Sequence, residues 1–420
     1  MTVSHGDRPL PATRRRIAVT GLGLVSPHGR SPRSMFDALR AGRSAIDWDD
    51  ELGTVLARSS VDECSTPASP VRKRSGIDRV SEFAIAAGED AVADADWSES
   101  APPYAPDRVG IYVGTGFGGT ATIAEAYRRF HEGERLPPLS VVSAMANAPA
   151  AHLAIRTGFT GPVLTFSVAC ASSSVAIAAG AKDIALGEID AALVGGAEAP
   201  LVDSMIASWK AMHTLAEGRE GDMAASCRPF SATRTGLALG EGSAFLILEE
   251  MEHAQLRGAR IYAELAGSGT SCDSAHLTKP QVDGQLRAMR KAITQAGLVP
   301  EAVTYCNAHG TATVVGDEIE ARSIGILWGS GTKPFVSSTK AMHGHLLGAA
   351  GAIEAVVTTL SVHTGQLPPS VHCDDPDPAS PLRLVPIDHD GGGASVRRAA
   401  ITNSFAFGGT NSSLVFRSVD

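Results

Sequence analysis

No Cys-x-x-Cys pair occurs in the 420 residues, and the six cysteines, Cys64, Cys170, Cys227, Cys272, Cys306 and Cys373, stand singly. That spacing excludes a small disulfide-stapled scaffold and fits the reduced thiols of a cytosolic enzyme, so the expected localisation is cytoplasmic. Basic charge is in deficit: 36 Lys and Arg against 45 Asp and Glu leave a formal charge of -9. A nucleic-acid binder needs a basic face for phosphate contacts, so no nucleic-acid partner is expected. The opening MTVSHGDRPLPATRRR has arginines but no apolar segment behind them, and no signal peptide is read there. No long run is purely apolar. The greasiest, HLLGAAGAIEAVVTTLSV, carries Glu354 and many small residues, so a buried helix is expected and no membrane span. Aromatic residues make up only 5%, whereas glycine is abundant at 44 residues, which points to small side chains and close backbone packing. Hydrophobic residues at 44% are enough for a sizeable core and exclude a mainly disordered chain.

Residues 1–14 read as a loose tail. Short β-rich runs such as VGIYVGTG, VLTFSVA, AALVGG, VTYCNAHG and RAAITNSFAF then alternate with helical patterns such as VSEFAIAAGEDAVADA and DGQLRAMRKAITQAG. The alternation predicts an α/β architecture with largely parallel, buried sheets. A charged helical stretch, LILEEMEHAQLRGARIYAEL, marks the crossing between a half spanning 15–258 and one spanning 259–420.

Chemistry concentrates in a few places. In TFSVACASSSV a β-rich run gives way at Cys170 to small residues that continue as a helix, with Gly187 as its expected C-cap. A cysteine at such a junction faces unpaired helical amides, which favour its thiolate and offer a donor to an oxyanion. The bland alternative is a small buried hydrophobe. His309, in NAHGTATVVGDEIEA, and His345, five residues after Lys340 in SSTKAMHGHLLGAAGA, each follow a strand and precede a helix. Turns of that kind gather at the carboxyl ends of parallel strands. His-Gly-His by itself suggests a metal ligand pair, but paired cysteines and a carboxylate triad are missing, so no metal is expected. GTGFGG, from Gly114 to Gly119, fits a dinucleotide fingerprint, but no good helix or later acidic residue supports it. Its glycines are read as allowing close backbone approach to a pocket.

Taken together, VACASSS, NAHGTATVVGDEIEA, SSTKAMHGHLLGAAGA and NSFAFGGTNSSLVF resemble the β-ketoacyl-acyl-carrier-protein synthases, in the family's order. The resemblance runs from VTGLGLVSPHG to GGTNSSLVF and includes GGAEA and RPFSATRTGLALGEGSA. It implies a thiolase-type fold, two similar halves in a five-layered αβαβα sandwich, usually dimeric. It also implies that Cys170 takes the acyl chain, that His309 and His345 serve the decarboxylation of malonyl carrier, and that Lys340 orients them and pairs with Glu320. By the same likeness Asp317 supports the site, while Thr311 and Thr313 contact the phosphopantetheine arm. The amides of Cys170 and Phe407 would form an oxyanion hole, with Phe405, Phe407 and Gly408 in the gate loop. Phe117, Ile206 and Leu237 would wall the acyl pocket, and Arg72, Lys73, Arg74 and Lys210, with Arg79, would dock the acidic carrier. No bound cofactor is implied, because the substrates ride on the carrier's arm.

The chain departs from the pattern at Ala406, where glycine is common, at Ser231, where aspartate often follows Arg-Pro-Phe, and in the pocket walls. Retention of Cys170, His309, Lys340 and His345 argues against an inactive chain-length factor, and no second cysteine motif supports a CoA thiolase. ACASSS leans towards type II polyketide assembly, with housekeeping fatty-acid elongation as the alternative. The expected partners are the acyl carrier protein and a second subunit, either a second copy or a chain-length factor.

Overall fold

A computed structural model describes residues 14–61, 76–97, 103–389 and 398–419; Arg72, Lys73 and Arg74 lie outside the described residues. Among the described residues, eleven strands form the main sheet. In chain order they are β1 (Ile17–Val25), β2 (Val109–Gly114), β3 (Val163–Phe166), β4 (Ala191–Glu198), β5 (Gly242–Glu250), β6 (Ala263–Cys272), β7 (Tyr305–Asn307), β8 (Phe335–Ser337), β9 (Arg383–Leu384), β10 (Ala399–Phe405) and β11 (Thr410–Arg417). The spatial order is β9-β8-β7-β10-β11-β6-β1-β5-β4-β2-β3.

That order contains one pattern twice. In the first array β3, β2 and β4 are parallel, and β5 and β1 follow antiparallel. In the second, β8, β7 and β10 are parallel, and β11 and β6 follow antiparallel. The arrays meet where Ala18 and Val19 of β1 pair with Glu264 and Ala263 of β6. Each array is therefore mixed rather than largely parallel as the alternation suggested. The cause is local in the second array: only four residues separate β10 from β11, too few for the crossover that a parallel partner requires.

Helices fill the layers. Helix α1 (Arg79–Asp94) packs on β1, β4 and β5, with α2 (Ala148–Thr157) beside it. Helices α3 (Ser172–Leu186) and α6 (Ala350–Thr364) pack together and touch strands of both arrays, while α4 (Val282–Gln295) and α5 (Val314–Trp328) cover the far face. The result is α, β, α, β, α. A helix between two sheets must be apolar all round, and Ala350 to Val362 are buried without a break, Glu354 included. Small residues let the central pair meet closely: a methyl group on Gly351 would lie 2.1 Å from Ser174 Oγ. The Ala352 amide donates to Ser173 Oγ at 2.9 Å, and the hydroxyls of Ser174 and Ser404 bond at 2.7 Å. The serines after Cys170 thus seat the helix.

Candidate active site

Four strands deliver the candidate residues from their carboxyl ends. Cys170 follows β3 from the first array, whereas His309 follows β7, Lys340 and His345 follow β8, and Phe407 follows β10 from the second. Cys170 sits between Ala169, whose φ of +48° is left-handed, and the first turn of α3. A methyl group on Gly114 would lie 2.2 Å from the Ser173 amide nitrogen, so only glycine at the end of β2 lets the strand come this close to the turn.

His345 Nε2 lies 3.1 Å from Cys170 Sγ. The Leu347 amide donates to His345 Nδ1 at 3.2 Å. A neutral imidazole that accepts at Nδ1 carries its proton on Nε2, so His345 presents an N–H to the space above the sulfur. Burial, with the positive charge of Lys340, holds both His309 and His345 well below the ordinary imidazole pKa, so both rings are neutral. The rings stand edge to face with centroids 5.4 Å apart, and His309 Nδ1 is buried with no hydrogen-bond partner among the described residues.

Helix-end amides by themselves favour a thiolate at Cys170. The structure reverses the sign: burial pushes the thiol up to about 11, although the charge of Lys340 and the N–H groups of Phe407 and Cys170 work in the opposite direction. Desolvation outweighs the partial charges because only 6% of the residue is exposed. Those same two amides face the sulfur, where an acyl oxyanion would need them.

Lys340 pairs with Glu354 of α6, not with Glu320 as expected, and donates to the His309 carbonyl at 2.6 Å. Glu320 is already committed. It accepts from the amides of His309 and Gly310 at 2.9 and 2.7 Å and from Asn403 Nδ2 at 3.2 Å. Asp317 accepts from the amides of Ala312 and Phe230 at 3.1 and 2.8 Å. Both donors have left-handed backbones, at φ +65° and +66°, so one buried carboxylate holds two strained turns. Thr311 and Thr313 bond through their hydroxyls at 2.9 Å and line the cavity beside His309.

That cavity, of about 400 Å³, runs from Cys170, His309 and His345 to exposed residues such as Met212, Leu277 and Lys279. Phe407 stands at its inner end, stacked on Trp209 at 6.1 Å, and Phe405 packs its edge on His309 at 6.3 Å. Ala406 has φ −101°, comfortable for any residue, so the departure from glycine brings no strain; Gly408 carries the turn at φ +83°. Ile206, Leu237, Trp209 and Leu347 form one apolar cluster against Phe407. Phe117 is separate from that cluster and 45% exposed. Lys210 is exposed and donates to the Leu52 carbonyl at 2.8 Å, whereas Arg79 is tied to Glu241. Ser231 donates to Asp375 Oδ1 at 2.6 Å, joining its turn to the loop before β9.

Among the described residues, Cys170, His309 and His345 also form a set of close metal-ligand atoms, all within 4.8 Å of one another. The hydrogen bonding opposes that use. A metal at His345 Nε2 would move the ring proton to Nδ1, against the Leu347 N–H that already points there. Sequence reasoning missed Glu354, hidden in an apolar run, as well as Trp209 and Glu198. The last stands in GGAEA, where the local pattern shows no partner for it.

The chain belongs to the β-ketoacyl synthase family: the family's N-terminal domain model matches residues 14–254 and its C-terminal domain model matches residues 262–374. It is 37% identical to 3-oxoacyl-(acyl-carrier-protein) synthase 2 of Vibrio cholerae, over 96% of this chain and 99% of the relative. Among solved structures it is similar to the ishigamide ketosynthase/chain length factor, with TM-score 0.87, 31% identity and coverage of 97% of this chain and 100% of that one. The same coverage and TM-score hold, at 28% identity, for AntDE:AntF, a type II PKS acyl-carrier protein in complex with its ketosynthase bound to the hexaketide.

Proposed function

We propose that the protein is a β-ketoacyl-acyl-carrier-protein synthase, carried by one observation: the Cys170 thiol lies 3.1 Å from a histidine N–H at the inner end of the cavity. In the first half-reaction Cys170 Sγ attacks an acyl-carrier thioester, the new thioester forms on the enzyme, and the thiol proton leaves with the carrier's thiol. The amides of Cys170 and Phe407 hold the carbonyl oxygen as it becomes an oxyanion. Malonyl carrier then enters past Phe407, with its arm along Thr311 and Thr313. Cleavage of its C–C bond releases carbon dioxide and leaves an enolate, whose oxygen accepts from the neutral rings of His309 and His345. Attack of the enolate carbon on the acyl-cysteine forms the new C–C bond, breaks the C–S bond and expels the Cys170 thiolate, which takes up a proton from solvent. The sequence of steps balances without a cofactor.

We place the reaction in type II polyketide assembly. The likeness to a type II PKS ketosynthase in complex with its acyl-carrier protein, and to a ketosynthase/chain length factor, supports that reading. Fatty-acid elongation is the second reading, favoured by the 37% identity to the Vibrio cholerae enzyme. The carrier protein is the partner in both, with Lys210 in the docking face, and the lack of cysteine pairs suits a cytoplasmic enzyme. A second chain is also expected. Edge strand β3 exposes Val163 and Leu164, and Tyr127, Phe130 and Val141 are more than 60% exposed, so apolar surface and open strand edge invite cover.

The test is to incubate the protein with a panel of acyl carriers and measure intact mass, with Cys170→Ala alongside. Adducts on the natural protein alone are the expected result, and the preferred chain distinguishes the two pathways. No adduct with any carrier, both alone and with a candidate chain-length factor, would overturn the reading.

A further inference from the structure

Glu198 is wholly buried at the end of β4, and no cation pairs with it among the described residues. Four neutral donors hold it instead. Oε2 accepts from the amides of Gly116 at 2.6 Å and Gly348 at 2.9 Å; Oε1 accepts from the Phe117 amide at 3.1 Å and from Thr115 Oγ1 at 3.2 Å. A buried carboxylate without a counter-charge is costly for a fold to retain, and hydrophobic packing would stabilise the place better. Its partners show what it joins. Thr115 to Phe117 form the turn after β2, in the first half of the chain. Gly348 belongs to the turn after His345, in the second.

The contact between these turns is backbone against backbone. A methyl group on Gly348 would lie 2.4 Å from the Gly116 nitrogen and 2.5 Å from Glu198 Oε2. Directly before Gly348 stands Leu347, at a left-handed φ of +46°. The Leu347 amide is the donor that fixes the tautomer of His345, and its side chain packs in the apolar cluster with Ile206, Leu237 and Trp209. One carboxylate therefore holds the turn that orients His345 through Oε2 and the turn that carries Phe117 through both oxygens.

We propose that Glu198 is a positioning residue: it fixes the Leu347–Gly348 turn against the Thr115–Phe117 turn so that His345 keeps its Nε2–H aimed at the reacting atoms. The inference rests on the synthase reading above, and its test separates the two. The measurement is malonyl-carrier decarboxylation, followed as carbon dioxide release, together with Cys170 acylation followed by mass. Glu198→Asp withdraws the carboxylate by one methylene from all four donors, the Gly348 amide among them. Burial pushes the Glu198 carboxyl up to about 7, so above that pH the lost bond is one to a charged group, about a tenfold or larger effect; in an assay at about pH 8, kcat for decarboxylation should fall about tenfold or more, with KM within about twofold. Glu198→Gln keeps an oxygen for Gly116 and Gly348 but turns an NH₂ group towards the Phe117 amide. It should hold decarboxylation within about threefold and change the acylation rate or chain preference by more than about threefold.

A folded Glu198→Asp protein with unchanged kcat, or with its loss confined to KM, overturns the proposal. Should Glu198→Asp fail to fold, Glu198→Gln decides: decarboxylation kept with acylation altered supports the proposal, and both unchanged or both lost overturn it. Failure of the unsubstituted protein to acylate and to decarboxylate would refute the synthase reading itself.

Discussion

Replacing Glu354 by leucine is expected to destabilise the protein by several kcal/mol. Lys340 and Glu354 are both fully buried and paired, and the lysine's other contact is the His309 carbonyl. Without Glu354 the ammonium faces the interior alone, and breaking such a pair costs about 3–5 kcal/mol. Urea denaturation of the natural protein and of Glu354→Leu, followed by tryptophan fluorescence, reads this difference. Adding Lys340→Met removes the stranded charge and should recover most of the stability while leaving condensation absent. A deficit below about 1 kcal/mol in Glu354→Leu, or no recovery in the double variant, would refute the reasoning and mean that water or a different counter-charge reaches Lys340.

Cys170→Gln is expected to abolish the acyl adduct in intact-mass spectra and to leave malonyl decarboxylation in place, because His309 and His345 do not depend on the sulfur; retained condensation would move the nucleophile elsewhere. Alkylation of Cys170 should climb about tenfold per pH unit from pH 7 to 10 without levelling, since the thiol is pushed up to about 11 and the reactive thiolate forms only as pH rises. A plateau below pH 8.5 would mean that Lys340 and the two amides outweigh burial. Charge reversal at Lys210 should raise KM for carrier-bound substrate severalfold at low salt and little at high salt, because screening removes the attraction between exposed charges; a KM unchanged at low salt would remove Lys210 from the docking face.

Much of the site could be read from the chain alone, for a reason that lies in its topology. Cys170, His309, His345 and Phe407 each stand just past a strand, and turns past parallel strands converge at one edge of a sheet, so local pattern already predicted company for the cysteine. The glycines of GTGFGG were also legible as close backbone approach, whereas the packing of the serines after Cys170 on the central helix was not. What stayed hidden depended on distance. Glu354 sits in an apolar helical run, and only the stacking of α6 beneath the β8 turn brings it to Lys340, while Glu320, the nearer guess along the acidic helix, is occupied by the amides of His309 and Gly310. Glu198 could not be assigned from its motif, because its partners come from turns about 80 residues before it and 150 after it. The sign of the cysteine's ionisation was hidden too, since helix-end amides can be inferred from order along the chain but desolvation cannot. Spacing and residue type determined which groups do the chemistry. Which carboxylates hold them, and how far water is excluded, was decided only when the two halves closed on each other.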